Sequence, residues 1–359
     1  MLRLIYSTQR HVLRRTCLEL AIQQTEQEPD SRVLLVVPEQ TKMDMEQDYL
    51  TMSRAPGLMQ AEVLSFRRLA WRLLGEVGRQ PLFPVDPVGR AMLIHRVLHQ
   101  NKDLLHSFGY LADKPGFIRQ VTAVLGDLKR YRIGAKQLQA AAEKAEEKAL
   151  KDKSLDLAIV LGGYDAALAE AGLTDAEDDL TRLAELLQTL SDLPGSDWPW
   201  PWSRLGWLKR THVLVSGFGE VRDFTPQESM VLRGLADLCA HMTLTAAADA
   251  APGDSQVLDQ GLEAFMAGRR TIWHLQAVLP GLEIRRVDAE TTGLQTRIAR
   301  LLRHGNLDRE PGTQDGCQLR LIRAASTDDE LSYLAGMIRQ LVQLEGYRYR
   351  DISVALCSL

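Results

Sequence analysis

The residues best suited to chemistry in this chain are basic, aromatic and amide side chains set side by side. Ser65-Phe66-Arg67-Arg68-Leu69-Ala70-Trp71-Arg72 lies where a strand-like run gives way to a helix-like one. Phe66 and Trp71 offer flat faces on which bases can stack, at ~1–3 kcal/mol per base, and a neighbouring arginine adds phosphate contact or cation–π attraction. Arg68 and Arg72 are four apart, so a helix puts them on one face. Upstream, Val37-Pro38-Glu39-Gln40-Thr41-Lys42 closes another strand-like run. Gln40, Thr41 and Lys42 supply polar groups there, and a glutamine amide can pair two-pronged with a base edge. On this pattern alone two readings stand level: a surface for single-stranded nucleic acid, or Phe66, Leu69 and Trp71 as ordinary core.

Other chemistries are poorly provided for. A Walker-type loop needs glycines so that backbone N–H groups can wrap phosphate, then Lys for charge and Ser or Thr for magnesium. The turn after the first strand reads Ser7-Thr8-Gln9-Arg10-His11-Val12-Leu13-Arg14-Arg15, with no glycine and no lysine. Arg10, Arg14 and Arg15 could still draw an anion to a helix N-terminus, but nucleotide binding in the usual geometry is not expected. A magnesium-holding strand at 212–215 would end in an acid; Ser216 stands there, with Glu220 and Asp223 farther on. His95 and His99 have the spacing of metal ligands on a helix, without an evident third ligand. No G-x-S-x-G elbow supports a hydrolase triad. Cys17, Cys239, Cys317 and Cys357 are widely spaced and form no C-x-x-C pair, which speaks against a disulfide framework and a zinc site and for free thiols.

The elements that must hold these residues follow from the apolar pattern. Leu4-Ile5-Tyr6, Val33–Val37, Ala61–Phe66, His212–Val215 and Met242–Thr245 read as strands, and the unbroken run at 33–37 fits a strand covered on both faces. Helices are expected over about Val12–Gln24, Arg68–Val77, Thr225–Cys239 and Leu258–Val278. Thr225, Pro226 and Glu228 make a capping box with proline at the first helical position. This alternation predicts a doubly wound parallel α/β sheet. Between about 86 and 190, apolar residues recur at three- and four-residue spacing, as at Ile118, Val121, Val124, Leu125 and Leu128, so this block is expected to be all-helical and inserted. The Pro- and Trp-rich stretch at 192–207 is expected to be a loop or hinge whose tryptophans pack. Leu319–Arg323 and Asp351–Cys357 read as further strands around a helix at Asp328–Leu344.

The chain has 359 residues, 45% of them hydrophobic, and a net charge of -4, which excludes a histone-like polycation but not a local basic groove. It has no signal-peptide pattern and no run near the ~18 apolar residues of a membrane span, so a soluble, cytoplasmic protein is expected.

Six segments carry a resemblance: VVPEQTKMDMEQDYL, QAEVLSFRRLAWRLLGEVG, GRAMLIHRVL, GFIRQVTAVLGDLKRYRI, VSGFGEVRDFTPQE and EGYRYRDISVAL. In this order they resemble the N-terminal part of the B subunit of AddAB-type (RexAB-type) helicase–nucleases. The resemblance implies a superfamily-1 helicase-like (P-loop-NTPase-like) fold adapted to bind and read single-stranded DNA during double-strand-break processing, including Chi-type hotspot recognition. It implies Gln40, Phe66, Arg68, Trp71 and Phe218 as strand-contacting positions, with Lys42 standing where some members carry a smaller polar residue; the residue pattern adds Thr41 to the expected DNA-binding set. It implies DNA, single-stranded and with duplex ends, and an AddA-type subunit as partners, that subunit using ATP as the motor. The resemblance further implies an iron–sulfur cluster and magnesium in a C-terminal nuclease domain, so no cofactor and no catalytic residue are expected in this portion.

The expected organisation is a helicase-like core at 1–84 and 208–315, a helical insertion with the Pro/Trp hinge at 85–207, and the start of a second helicase-like α/β domain at 316–359, the chain being the front part of a longer protein. The alternative function is a non-catalytic scaffold that holds the partner subunit. Two departures stand out: the glycine-free Ser7–Arg15 turn, and a longer spacing between Gly217-Phe218 and Phe224-Thr225-Pro226-Gln227-Glu228.

Overall fold

Six short apolar runs become six parallel strands. They are β1 (Leu2–Ser7), β2 (Arg32–Val36), β3 (Ala61–Leu64), β4 (Thr211–Val215), β5 (His241–Ala247) and β6 (Glu283–Arg286), ordered β3-β2-β4-β5-β1-β6 in one sheet. The computed structural model describes residues 1–28, 30–54, 57–79, 83–193, 198–219, 223–251, 253, 265–288 and 322–355. Two compact units result, Met1–Ala289 and Glu290–Leu359.

Both faces of the sheet are covered, as the unbroken runs require. Along β2, Leu34 and Val36 face a core shared with Val213, Val215, Leu244 and the helices α3 (Phe66–Glu76), α8 (Asp179–Asp192), α9 (Pro226–Leu238) and α10 (Met266–Val278). Val33, Leu35 and Val37 face the opposite core, built with Cys17, Leu18 and Ala21 of α1 (Arg10–Gln27) and Met45 and Tyr49 of α2 (Lys42–Ser53). Fully burying each such side chain contributes roughly 1.5–3 kcal/mol. The expected doubly wound α/β sheet is therefore observed.

Between α3 and β4 the chain leaves the sheet. Helices α4 (Pro87–Gln100), α5 (Pro115–Arg130), α6 (Ala135–Lys144) and α7 (Lys148–Ala171) enclose a separate core around Ile94, Leu98, Leu125, Leu161 and Tyr164. Buried Asp156 accepts backbone N–H bonds from His106, Ser107 and Phe108 at 2.8, 2.7 and 2.9 Å, which ties the α4–α5 connection to α7. Helix α8 rejoins the sheet's own core through Leu183, Leu186 and Leu187.

Several expectations need correction. The sequence pattern missed α2 and β6, and Phe66 opens α3 instead of ending β3. The Pro/Trp stretch contains a 3₁₀ helix at Trp202–Arg210, which starts just after Pro201, where a proline ring obstructs nothing. In the second unit, α11 (Thr327–Leu344) matches the expected helix. Ile322-Arg323 and 352–355 are not strands; Tyr349–Asp351 forms a 3₁₀ turn, and no described residue of this unit offers a strand to pair with. The remainders of those two expected strands, the first part of the expected helix at Leu258–Val278, Glu220, Cys317 and Cys357 lie outside the described residues. No helix of the described residues is long and apolar enough to cross a membrane.

Candidate nucleic-acid interface

The carboxyl ends of β2, β3 and β4 open into a cleft of ≈ 1530 Å³, the place where open parallel sheets hold ligands. Its walls are the turn after β2, the first two turns of α3, the Gly217-Phe218-Gly219 turn after β4, Arg204 of the 3₁₀ helix, and Asp179 and Leu180 at the start of α8. Six of the seven expected residues line it: Gln40, Thr41, Phe66, Arg68, Trp71 and Phe218.

Their environments differ. Pro38 ends the sheet run, and a 3₁₀ turn at Glu39–Thr41 carries exposed Gln40 into the cleft. The Thr41 hydroxyl donates to the Pro38 carbonyl at 3.1 Å, which fixes that turn. Lys42 does not line the cleft; its ammonium pairs with Glu46 at 2.7 Å, one turn along α2. Ser65 caps α3 by accepting the Arg68 N–H at 3.4 Å, and its hydroxyl donates to the Glu39 carboxylate. The Arg68 Nε donates to Glu39 Oε1 at 2.9 Å. These bonds from Ser65 and Arg68 hold the Glu39 carboxyl below its ordinary range. Arg68 and Glu39 are 59% and 55% exposed, so their pair is worth at most ~1 kcal/mol and a phosphate can compete for the guanidinium.

Among the aromatics, Trp71 is 48% exposed while Phe66 is only 4% exposed. Phe66 sits edge-on to Phe218 at 5.1 Å and to Phe224 at 6.1 Å, so in this conformation it supports Phe218 instead of offering its own face. Phe218 is the half-buried, outer ring of the three. The glycines on either side have φ of 84° and 76°, a region that disfavours side chains. A Cβ on Gly219 would also come within 2.8 Å of Thr271.

Other cleft residues were not among the seven expected positions, and Arg204 and Asp179 carried no signal in the sequence pattern. Arg67 and Arg204 are exposed and form no salt bridge among the described residues. Asp179 is 2% exposed, and its Oδ1 has no hydrogen-bond partner among the described residues. Burial pushes its carboxyl up to about 6, against the opposing pull of Arg182 and Arg67. Arg72 is committed, bonding Glu62 at 3.2 Å and Glu76. Trp207 Nε1 donates to Glu76 at 2.8 Å, and the Trp207 ring lies under Arg32 at 4.7 Å and Arg72 at 5.8 Å.

The other candidate chemistries are differently placed. At the head of α1, the Ser7 hydroxyl donates to Asp288 Oδ1 at 3.1 Å, and Arg286 Nε pairs with Asp288 Oδ2 at 2.6 Å. Arg14 and Arg15 pair with Asp48 at 2.8 Å and Glu19 at 2.7 Å. Ser216 shares a 3.0 Å hydrogen bond with Thr245. His95 and His99 both approach Asp113 Oδ1, at 3.6 and 3.4 Å, while Lys102 holds the other oxygen at 3.2 Å. Among the described residues no group of three His, Cys, Asp or Glu could hold a metal. Cys17 and Cys239 pack against different cores, and burial pushes each thiol up to about 12. They do not fit an iron–sulfur cluster, whose ligands are thiolates.

The family model "ADDB, N-terminal" matches residues 13–304. The B subunit of the ATP-dependent helicase/deoxyribonuclease of Anoxybacillus flavithermus is 31% identical over 355 residues, covering 95% of this chain and 29% of the relative. The same-named proteins of Geobacillus thermodenitrificans and Desulforudis audaxviator are 30% and 31% identical, covering 95% and 96% of this chain and 28% and 29% of theirs. The chain thus spans less than a third of the length of these relatives. With most of its length matched, the chain belongs to the AddB family, in the N-terminal region that the family model describes.

Proposed function

We propose that the cleft holds and reads a single DNA strand within the B subunit of a helicase–nuclease that processes double-strand-break ends for recombinational repair. The observation that carries this is the convergence of Gln40, Arg68, Trp71 and Phe218 from three strand ends onto one opening, beside the cations Arg67 and Arg204. Phosphates would take Arg67, Arg204 and, by displacing Glu39, Arg68. Trp71 and Phe218 would stack or wedge bases, with Phe66 behind Phe218. The Gln40 amide would address a base edge. Discrimination of a Chi-type hotspot would follow where only the correct base satisfies both arms of the Gln40 amide.

No step of ATP hydrolysis or strand cleavage is assigned to this cleft. An AddA-type partner would supply the ATP-driven motor, and magnesium and an iron–sulfur cluster would belong to a nuclease region elsewhere in the complex. The test is oligonucleotide binding against salt. Each phosphate contact should add ~0.7 to the log–log slope, and Trp71→Ala should weaken binding about 5- to 100-fold. A flat slope with an unchanged Trp71→Ala affinity would favour the scaffold alternative.

A further inference from the structure

The Pro/Trp stretch was expected to pack, and three of its four tryptophans do. Trp198 is 6% exposed and lies under the Lys209 ammonium at 4.1 Å. Trp202 and Trp207 pack against the sheet's core. Trp200 is 81% exposed, the most exposed of the described tryptophans. Its platform is firm: Leu205 and Leu208, one and two turns on, are 0% exposed in the same core as Trp198. Backbone bonds from Ser203 N to the Pro199 carbonyl at 3.1 Å and from Arg204 N to the Pro201 carbonyl at 3.2 Å fold 199–204 into one compact turn. Trp200 therefore stands one turn from Arg204, which lines the cleft.

We infer that Trp200 is a second stacking platform, which receives a base of the strand after it has passed Arg204 at the edge of the cleft. The inference rests on the cleft holding single-stranded DNA. An exposed indole one turn along the backbone from a guanidinium that no described carboxylate engages supplies what single strands use without regard to sequence: ring for base, cation for phosphate. The backbone of the turn that carries the ring is already held, so its ordering costs little on binding. The charge beside it suits a polyanion. A strand is the favoured occupant because Arg204, one turn on, offers a cation to its phosphates.

The test compares oligothymidylates of about 4 and about 12 nucleotides, the range a single binding module spans, by fluorescence anisotropy on the full chain. Trp200→Ala should weaken the longer strand about 5- to 100-fold and leave the shorter one unchanged. Trp200→Phe should restore most of the loss, since the ring and not the indole N–H does the stacking. Trp71→Ala should weaken both lengths. Wild-type affinity of Trp200→Ala for the longer strand, alongside a clear Trp71→Ala defect, would overturn the inference alone. An equal loss at both lengths would also overturn it. If Trp71→Ala is silent at both lengths, the reading of the cleft itself fails.

Discussion

The two halves of this sheet end in the same backbone geometry and opposite surroundings. At the carboxyl ends of β2, β3 and β4 the structure leaves ≈ 1530 Å³ open. At the ends of β1, β5 and β6 it fills the equivalent space with its own ion pairs. Asp288 lies over Ser7 at the head of α1, held by Arg286. Arg269, 1% exposed, pairs with Asp249 at 2.7 Å beyond the end of β5. Helix α10 lies so close to β5 that a Cβ on Gly268 would overlap the Ala247 carbonyl oxygen. A parallel sheet thus provides several ligand sites in principle, and side chains decide which one stays open. The closed half sits beside the turn whose sequence lacks a phosphate-binding loop, so carboxylate and guanidinium stand where a nucleotide loop would otherwise need glycines.

The largest expected contrast is in stability. Arg269→Ala removes one member of a buried pair and strips Asp249 of that partner, which should cost ~3–5 kcal/mol in urea unfolding. Trp71→Ala, on the open side, should change unfolding by less than about 0.5 kcal/mol while weakening DNA binding. Similar stability losses for the two would erase the contrast.

A pH experiment sharpens it. The Asp179 carboxyl is pushed up to about 6 by burial, against an ordinary 3.8. Between those values the folded state binds more protons than the unfolded one, so stability should fall as pH rises from about 4 to 6. The full difference corresponds to about 3 kcal/mol. Asp179→Asn should flatten this slope and be more stable than wild type at pH 8, by about 1–3 kcal/mol in urea titrations. An unchanged pH profile would show that Asp179 is already satisfied in solution.

The smallest effect is expected at Lys42. Its ammonium is spent on Glu46 outside the cleft, so Lys42→Ala should shift strand affinity less than about 2-fold and leave the salt slope unchanged. A slope lower by ~0.7 would place Lys42 on a phosphate after all.

Much of the fold was legible because burial on both faces writes itself into composition. Val33–Val37 could only be a covered strand, and its alternate residues do enter two different cores. The Thr225–Glu228 capping box was equally plain, and Thr225 N bonds Glu228 Oε2 at 2.8 Å. What escaped lacked that signature. Strand β6 reads Glu-Ile-Arg-Arg, mostly exposed at the sheet edge, and α2 has only Met45 and Tyr49 buried. In the site, Phe66 and Trp71 looked alike as aromatic residues beside arginines. Phe218 and Phe224, more than 150 residues away, help to bury Phe66 in the sheet's core while Trp71 stays at the opening. Arg67 and Arg72 looked alike too, yet Glu62, Glu76 and the Trp207 ring engage Arg72 and not Arg67.

The sequence by itself determined the strand-and-helix alternation, the inserted helices and the family, because local apolar period, caps and ordered motifs are properties of neighbouring residues. The tertiary structure alone decided which strand ends stay open, which ring faces outward and which cations the described carboxylates leave available. Those properties depend on partners brought from far along the chain, such as Trp207 to Glu76 and Asp288 to Ser7, and no local pattern records such a meeting.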